Sequence, residues 1–450
     1  MNTAGLIARY DVPVPRYTSY PTAPQFSAAV DGAVYAGWLA ALAPEAALSL
    51  YLHVPFCAEM CWFCGCHTTA TRNVAALNAY ADTMLAEIAL LAAATGRRRR
   101  VVHVHWGGGT PTALPPERLL EVMAVLREHF AFAADAEIAV EVDPRTAGVE
   151  AILALEAMGC TRASLGVQDF DPLVQAAVNR HQSYEQTRYC ADALRAAGVG
   201  SINLDLIYGL PHQTERGVAA TAAEALSIGP DRVAVFGYAH VPWMKKHQKL
   251  LPEAALPDAA ARFAQREAAE AAILAQGWRA VGLDHYARPD DVLARAAAAG
   301  ALRRNFQGYT TDAAPVLLGI GASSIGALPQ GYAQNEAATP AWRDAVRAGR
   351  LPIRRGVALT AEDRLRRAVI ERLMCDGTVD LDTVAAAHGA DPAGLREAGP
   401  ALAAMAQDGL LHWDGRVVRL SATGRPFVRN VAAAFDRYLR PEAGRHARAV

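Results

Sequence analysis

The stretch HVPFCAEMCWFCGCHTT, residues 53–69, places four of the chain's seven cysteines within ten positions, at Cys57, Cys61, Cys64 and Cys66. Thiols this dense point to a metal or redox centre, and three chemistries compete for them. A structural zinc site usually draws its ligands as two separated pairs, whereas these four share one loop and Cys64 and Cys66 stand a single residue apart. Disulfides belong to oxidising compartments, and the opening MNTAGLIARYDVPVPRY lacks the basic and long apolar regions of a secretory leader. A Cys-x3-Cys-x2-Cys loop can wrap three corners of an iron–sulfur cubane and leave the fourth iron open, and this reading fits best. The remaining Cys160, Cys190 and Cys375 lie in helical or apolar surroundings and read as buried, inert thiols.

Such a loop needs a rigid base. Short β-rich runs recur at 47–54, 101–106, 137–142, 162–167, 202–208 and 232–239, each followed by a helical pattern. That alternation implies a parallel sheet wound by right-handed crossovers. Six units are too few for a closed eightfold barrel, so the expectation is an α/β fold with a partial (β/α)6 barrel, extended by RAVGLDHYA at 279–287. In such folds reactive groups gather at the carboxyl ends of strands. There the sequence places the cysteine loop, GGGTPT (107–112), Glu141 in EVDPR, Gln168 in GVQDF, Asp205 in LDLIYGLP, and YAHVP. Glycines 107–109 carry no β-carbon and let backbone approach a ligand closely, although a glycine run is also an ordinary tight turn. Singly, Glu141 and Asp205 read equally as strand-end caps and Arg180 as a surface ion pair; it is their gathering on one rim that favours a site.

Around this body the chain divides into an N-terminal arm (1–44), the barrel with its extension (45–355) and a C-terminal, mainly helical domain (356–450). The arm carries PRYTSYPT, a Pro-flanked aromatic segment expected to cover the substrate side of the barrel. The tail reads as three helices, a β-hairpin and a last helix, a winged-helix-like order. Such folds often bind DNA, but this one has mixed charges, and a net charge of −1 argues against a nucleic-acid partner. Arg97–Arg100 reads as a solvated loop. No apolar run reaches the length of a membrane span, so the expectation is a cytoplasmic monomer with no membrane partner.

The cysteine loop, with Phe63 before its third cysteine, resembles the radical S-adenosylmethionine (SAM) superfamily, and GGGT is similar to that superfamily's glycine motif. More narrowly, PRYTSYPTA, LYLHVPFC, CWFCGC, HWGGGTPT, EVDPR, VNRHQ, NLDLIYGLPHQT, FGYAHVPWMKKHQ, LDHYARPDD, RNFQGYTT and GRPFVRNVAAAFDRYL resemble the oxygen-independent coproporphyrinogen III oxidases (dehydrogenases) of heme synthesis, over essentially the whole chain. The resemblance implies a [4Fe-4S] cluster held by Cys57, Cys61 and Cys64. It implies two SAM molecules, met at Tyr51, Phe63, Gly108, Gly109, Thr110, Glu141, Gln168, Arg180, Asp205, Ala239 and Ile325. It further implies that one electron, from a donor such as a flavodoxin or ferredoxin, cleaves SAM to a 5′-deoxyadenosyl radical. Two propionates of coproporphyrinogen III would then become vinyl groups, giving protoporphyrinogen IX. Cys66, left over by a three-thiol cluster, is assigned a catalytic role on the substrate side. The four carboxylates of that substrate call for polar partners, with Arg16, Tyr20, Arg288, Arg303 and Arg304 as candidates, while His53 and His105 read as supporting groups inside strands. The alternatives are a heme chaperone of the same superfamily, against which the fourth cysteine and the arm speak, a heme-modifying protein of that superfamily, and a zinc-stabilised regulator using the tail on DNA.

Overall fold

Polar residues recur at alternate positions in several of the expected strands, and the computed structural model, which describes residues 2–96 and 98–439, shows what the alternation serves. Arg97 of the arginine run and residues 440–450 of the tail lie outside the described residues. Strands β1 (Leu48–Val54), β2 (Arg100–Gly108), β3 (Ala131–Val142), β4 (Arg162–Gln168), β5 (Ser201–Tyr208) and β6 (Arg232–Gly237) lie side by side in chain order, all parallel. One face buries Leu48, Leu50 and Leu52 of β1 and Ile138, Val140 and Val142 of β3 in the main core. Because successive side chains of a strand point to opposite faces, the residues between them line the other face. There His103 and Arg162 bond Glu137, His105 bonds Glu141, and Asn203 bonds Ser164 and Asp205.

Helices α1 (Val74–Ala94), α2 (Pro116–His129), α3 (Val149–Met158), α4 (Tyr184–Ala196) and α5 (Glu215–Ser227) cover the apolar face. Asn73, Ser183 and Thr214 cap three of them by accepting a backbone N–H. Helix α1 is long and apolar enough to cross a membrane, but Leu77, Tyr80, Met84, Ile88 and Leu91 are committed to the core, and the helix packs as an interior element.

The sheet has twelve strands rather than six. The expected extension is a hairpin, β7 (Arg279–Val281) and β8 (His285–Ala287), antiparallel to β6. It turns at Gly282, where a β-carbon would fall 2.0 Å from the Tyr309 ring. Beyond β1 lies a seventh parallel strand, β9 (Val316–Ile320), followed by antiparallel β10 (Ile325–Leu328), β11 (Gly331–Asn335) and β12 (Ile353–Ala358). Strand β9, VLLGI, is buried throughout and shows no alternation that would mark it in the sequence.

The C-terminal region has its own core of Leu365, Val369, Leu373, Leu402, Val418 and Phe435, under a three-stranded antiparallel sheet of Thr378–Asp380, Val417–Leu420 and Leu411–Trp413. The arm is less irregular than its sequence suggests. It starts with a helix, Thr3–Tyr10, whose Leu6, Ile7 and Tyr10 pack with Phe263, Leu410 and Phe427. Tyr17 and Tyr20 then enter the C-terminal core. Polar contacts fasten the arm: Tyr17 donates to Asp436 at 3.0 Å, Arg429 Nε donates to Pro15 O at 3.0 Å, and Asn430 donates to Tyr10 O at 2.8 Å.

Candidate active site

Strand β1 runs straight into the cysteine loop, whose base is closed by the parallel pairing of Phe56–Cys57 with Thr69–Ala70. The glycine run after β2 seats directly beneath it. Gly109 N donates to Val54 O at 2.8 Å and Thr110 N to Phe56 O at 2.7 Å. A β-carbon on Gly109 would meet the Phe56 carbonyl oxygen and the Thr68 hydroxyl at 2.5 Å, and one on Gly108, whose φ is +116°, the His53 ring at 2.7 Å. The close backbone approach that the glycines permit is therefore first of all an approach to the cysteine loop itself.

The sulfurs meet donors and cations. Thr110 Oγ1 donates to Cys57 Sγ at 3.4 Å. Burial raises the Cys57 thiol above its ordinary value, partly offset by Thr110 and Thr68. Arg145 and Arg180 each donate to Cys61 Sγ at 3.4 Å, and both guanidiniums pair with the buried Asp143, at 2.7 and 3.3 Å. Burial alone would raise the Asp143 carboxyl, but the two arginines outweigh it and hold it below the usual range. The neighbouring Cys66 thiol draws Cys64 below its ordinary value and is itself pushed up.

A segment following β6 closes over the outside of the loop. Lys245 Nζ donates to Cys66 O at 2.7 Å and His247 Nε2 to Cys64 O at 2.7 Å. Gln248, fully buried, donates to Phe63 O at 2.9 Å and Ala239 O at 3.2 Å and accepts from Val241 N at 2.6 Å. Among the described residues, no three His, Cys, Asp or Glu side chains are drawn together tightly enough for a single metal ion. A cluster of several irons spreads its thiolates to separate corners, unlike a single zinc ion. Lowering of Cys64 favours the thiolate form that such a cluster requires.

Further groups of the rim stand on the polar face. Glu141 accepts from Gly108 N at 3.0 Å and meets His105 Nε2 at 3.1 Å; burial opposes its charge, but the imidazole and the amide keep it ionised. His53 Nε2 donates to His67 O at 3.1 Å, which leaves Nδ1 to accept from the Tyr51 hydroxyl at 2.9 Å. Burial lowers His53 to about 4, so it is neutral. Gln168 adopts a left-handed φ of +73° where the β4–β5 register shifts. Asp205 accepts from Asn203 at 2.8 Å and Ser164 at 3.1 Å, and burial raises it to about 6. Ile325 opens β10 beside Gly319, the β9 residue facing Tyr51. Cys66 sits at the exposed lip of the loop.

The expected substrate contacts divide. Arg16 and Arg304 converge with Arg262, Arg266 and Arg429 on a cavity of about 50 Å³ behind Tyr208 and Gly237. Arg16 donates to Gly237 O at 3.0 Å, and Arg304 to Arg16 O at 3.3 Å. Asp284 lies among them; its burial is outweighed by the His285 hydrogen bond and by the arginines, which lower it to about 2. Tyr20 is elsewhere, 1% exposed, its hydroxyl accepting from Arg437 N at 3.1 Å. Arg288 follows β8 at the amino end of β6, across the barrel from the rim, and pairs with Asp290. Arg303 is exposed and faces Glu371 at 4.0 Å. Asp143, Arg145, Lys245, His247 and Gln248 were not singled out from the sequence, although EVDPR runs off the end of β3 and KKHQK lies in the segment after β6.

Residues 51–225 match the radical SAM superfamily, and residues 359–427 match the HemN C-terminal domain. The chain is 51% identical over 437 residues to the oxygen-independent coproporphyrinogen III oxidase of Bradyrhizobium diazoefficiens, covering 97% of each. To that of Paracoccus denitrificans it is 46% identical over 429 residues, covering 95% of each. Coproporphyrinogen III oxidase (HemN) from Escherichia coli, described as a radical SAM enzyme, superposes with a TM-score of 0.90 at 40% identity, covering 94% of this chain and 98% of that one.

Proposed function

The chain belongs to the oxygen-independent coproporphyrinogen III oxidases of the radical SAM superfamily, and from this premise we propose how its own side chains divide the work. The reaction is the oxidative decarboxylation of two propionates of coproporphyrinogen III to vinyl groups, giving protoporphyrinogen IX. Relatives matched end to end carry the oxidase name, which favours this activity over a heme chaperone. When bound, a [4Fe-4S] cluster and SAM supply the homolytic chemistry that an unactivated C–H bond requires and that acid–base groups do not provide.

The observation that carries the site assignment is the thiol loop seated on Gly108–Thr110 with two guanidiniums on one sulfur. Cys57, Cys61 and Cys64 hold the cluster, and Arg145 and Arg180 offset its thiolate charge. The rim has groups for two SAM molecules. Ionised Glu141 accepts from an ammonium group, and Tyr51, Gly108, Gly109 and Ile325 frame that side. Phe63, Thr110, Gln168, Arg180, Asp205 and Ala239 frame the other. Arg16, Arg262, Arg304 and Arg429 form the positive wall to which a substrate propionate is held, and Cys66 serves the substrate side of the loop. The electron comes from a flavodoxin or ferredoxin, and the protein works as a cytoplasmic monomer.

Anaerobic reconstitution with iron, sulfide, SAM and dithionite, followed by porphyrin product analysis, tests the assignment. Divinyl product is expected. SAM cleavage without decarboxylation would overturn the substrate assignment, and zinc in place of iron would overturn the site.

A further inference from the structure

The chain contains three lysines, and all of them, Lys245, Lys246 and Lys249, stand within the ten residues 241–250; every other guanidinium or ammonium side chain is an arginine. This is the segment laid over the outside of the cysteine loop, hydrogen-bonded to the backbone of Phe63, Cys64 and Cys66. Its outer surface also carries Trp243, Met244 and Leu250, which are 61%, 64% and 58% exposed. Single exposed apolar residues are ordinary, but three on one short segment, interleaved with ammonium groups, have the make-up of an interface with an apolar centre and a charged rim. From His240 to Pro252 no carboxylate interrupts the positive charge, until Glu253, which faces His240 at 3.2 Å.

We infer that residues 241–250 are the docking surface for a small acidic electron-carrier protein bearing a flavin or an iron–sulfur centre, an inference that rests on the cluster assignment above. Charge complementarity selects the partner. Lysine is a compact, strongly hydrated charge on a flexible stem, suited to fast steering and weak, reversible contact rather than to the planar, bidentate grip of arginine. Electron-transfer encounters use small interfaces of this kind. The position serves the transfer, since hydrogen bonds lead from the exposed segment to the peptide groups of Cys64 and Cys66. One electron leaves the reduced carrier and enters the cluster held by Cys57, Cys61 and Cys64; the carrier is oxidised by one electron, and no atom crosses the surface.

The test uses the reconstituted full-length protein and the double variant Lys246→Glu/Lys249→Glu, which leaves the structural Lys245 in place. Binding of oxidised bacterial flavodoxin is measured by calorimetry at low and high salt, and turnover is driven in parallel by reduced flavodoxin and by dithionite. Two charge reversals are expected to weaken flavodoxin binding about tenfold or more at low salt and to flatten its salt dependence. Flavodoxin-driven turnover is expected to fall in step, while dithionite-driven turnover and the KM for porphyrinogen stay within about twofold. Unchanged flavodoxin binding would overturn the inference. A raised porphyrinogen KM under dithionite would also overturn it and make the segment a substrate entrance. Absence of dithionite-driven turnover in the unsubstituted protein would instead strike the enzymatic assignment, and the binding titration would still decide the docking surface.

Discussion

Replacing Gln248 with leucine removes the clasp between the cysteine loop and the segment that covers it, with little change in volume. Three hydrogen bonds are lost, to Phe63 O, Ala239 O and Val241 N, at a site with no solvent exposure. At a net contribution of about 1 kcal/mol each, local closure weakens by about 3 kcal/mol, which raises the opened fraction by about two orders of magnitude. The lysine distribution provides the assay. An endoproteinase that cuts only after lysine can cut this chain only within residues 241–250, so its rate on the native protein follows the opening of this one segment. The Gln248→Leu protein should be cleaved about a hundredfold faster, with unchanged arginine-specific cleavage and a thermal midpoint shifted by no more than about 2 °C. An unaltered lysine-specific rate would show that the clasp does not hold the segment. Simultaneous collapse of global stability would show that the segment is not an independent unit.

Cys66→Ser should retain a [4Fe-4S] centre of normal low-temperature electron resonance and iron content, whereas Cys57→Ser, Cys61→Ser and Cys64→Ser should each lose it; an iron-poor Cys66→Ser protein would make Cys66 a ligand. Glu87 is buried among Gly321 N, Asn335 and Trp342, and burial lifts its carboxyl to about 7 despite those donors. Its folded-state pKa exceeds the unfolded value of 4.5, so the unfolded chain releases its proton first and stability falls as pH rises between about 4.5 and 7. The slope is about 1.4 kcal/mol per unit, about 3 kcal/mol in all, and Glu87→Gln should remove it from urea-unfolding data taken at pH values within and above this window. Deleting residues 2–24 withdraws Tyr17 and Tyr20 from the C-terminal core, where each large side chain contributes about 3 kcal/mol or more. Hydrogen exchange should then accelerate across residues 361–435 but not across β1–β6, with the cluster retained; uniform protection would refute the fastening role of the arm.

The parts of this site that a reader of the sequence can find are those written locally. Alternation in VVHVHW and EIAVEV marks strands with one apolar face, and the parallel fold then puts Glu141 and the cysteine loop on one rim. What the sequence hides is contact over distance. His247 and Cys64 are 183 residues apart, and no local period announces that the segment after β6 returns to the loop after β1. Gln248 looks like a surface residue and is fully buried, because two backbone carbonyls and an amide supply its partners. Strand β9 escaped because it is apolar on both faces. Arg16 and Arg304 were legible as cations, but their meeting with Arg262 and Arg429 depends on how the arm crosses the barrel.

The fastening of the arm has a consequence in the order of synthesis. Tyr17 is bonded to Asp436, 419 residues later, and Arg16 reaches the end of β6 at Gly237. Residues 10–17 are therefore gripped by residues synthesised more than 400 positions later. Between completion of β6 and emergence of Phe435 the ribosome adds roughly 200 residues, which at about 5–20 residues per second takes about 10–40 s. Throughout that interval the six parallel strands already exist, and the arm can meet Gly237 and Phe263 but not yet its partners in the C-terminal core. A message cut short before the helix Val428–Ala433 would leave the polypeptide in that state permanently, with a finished barrel and a loose beginning.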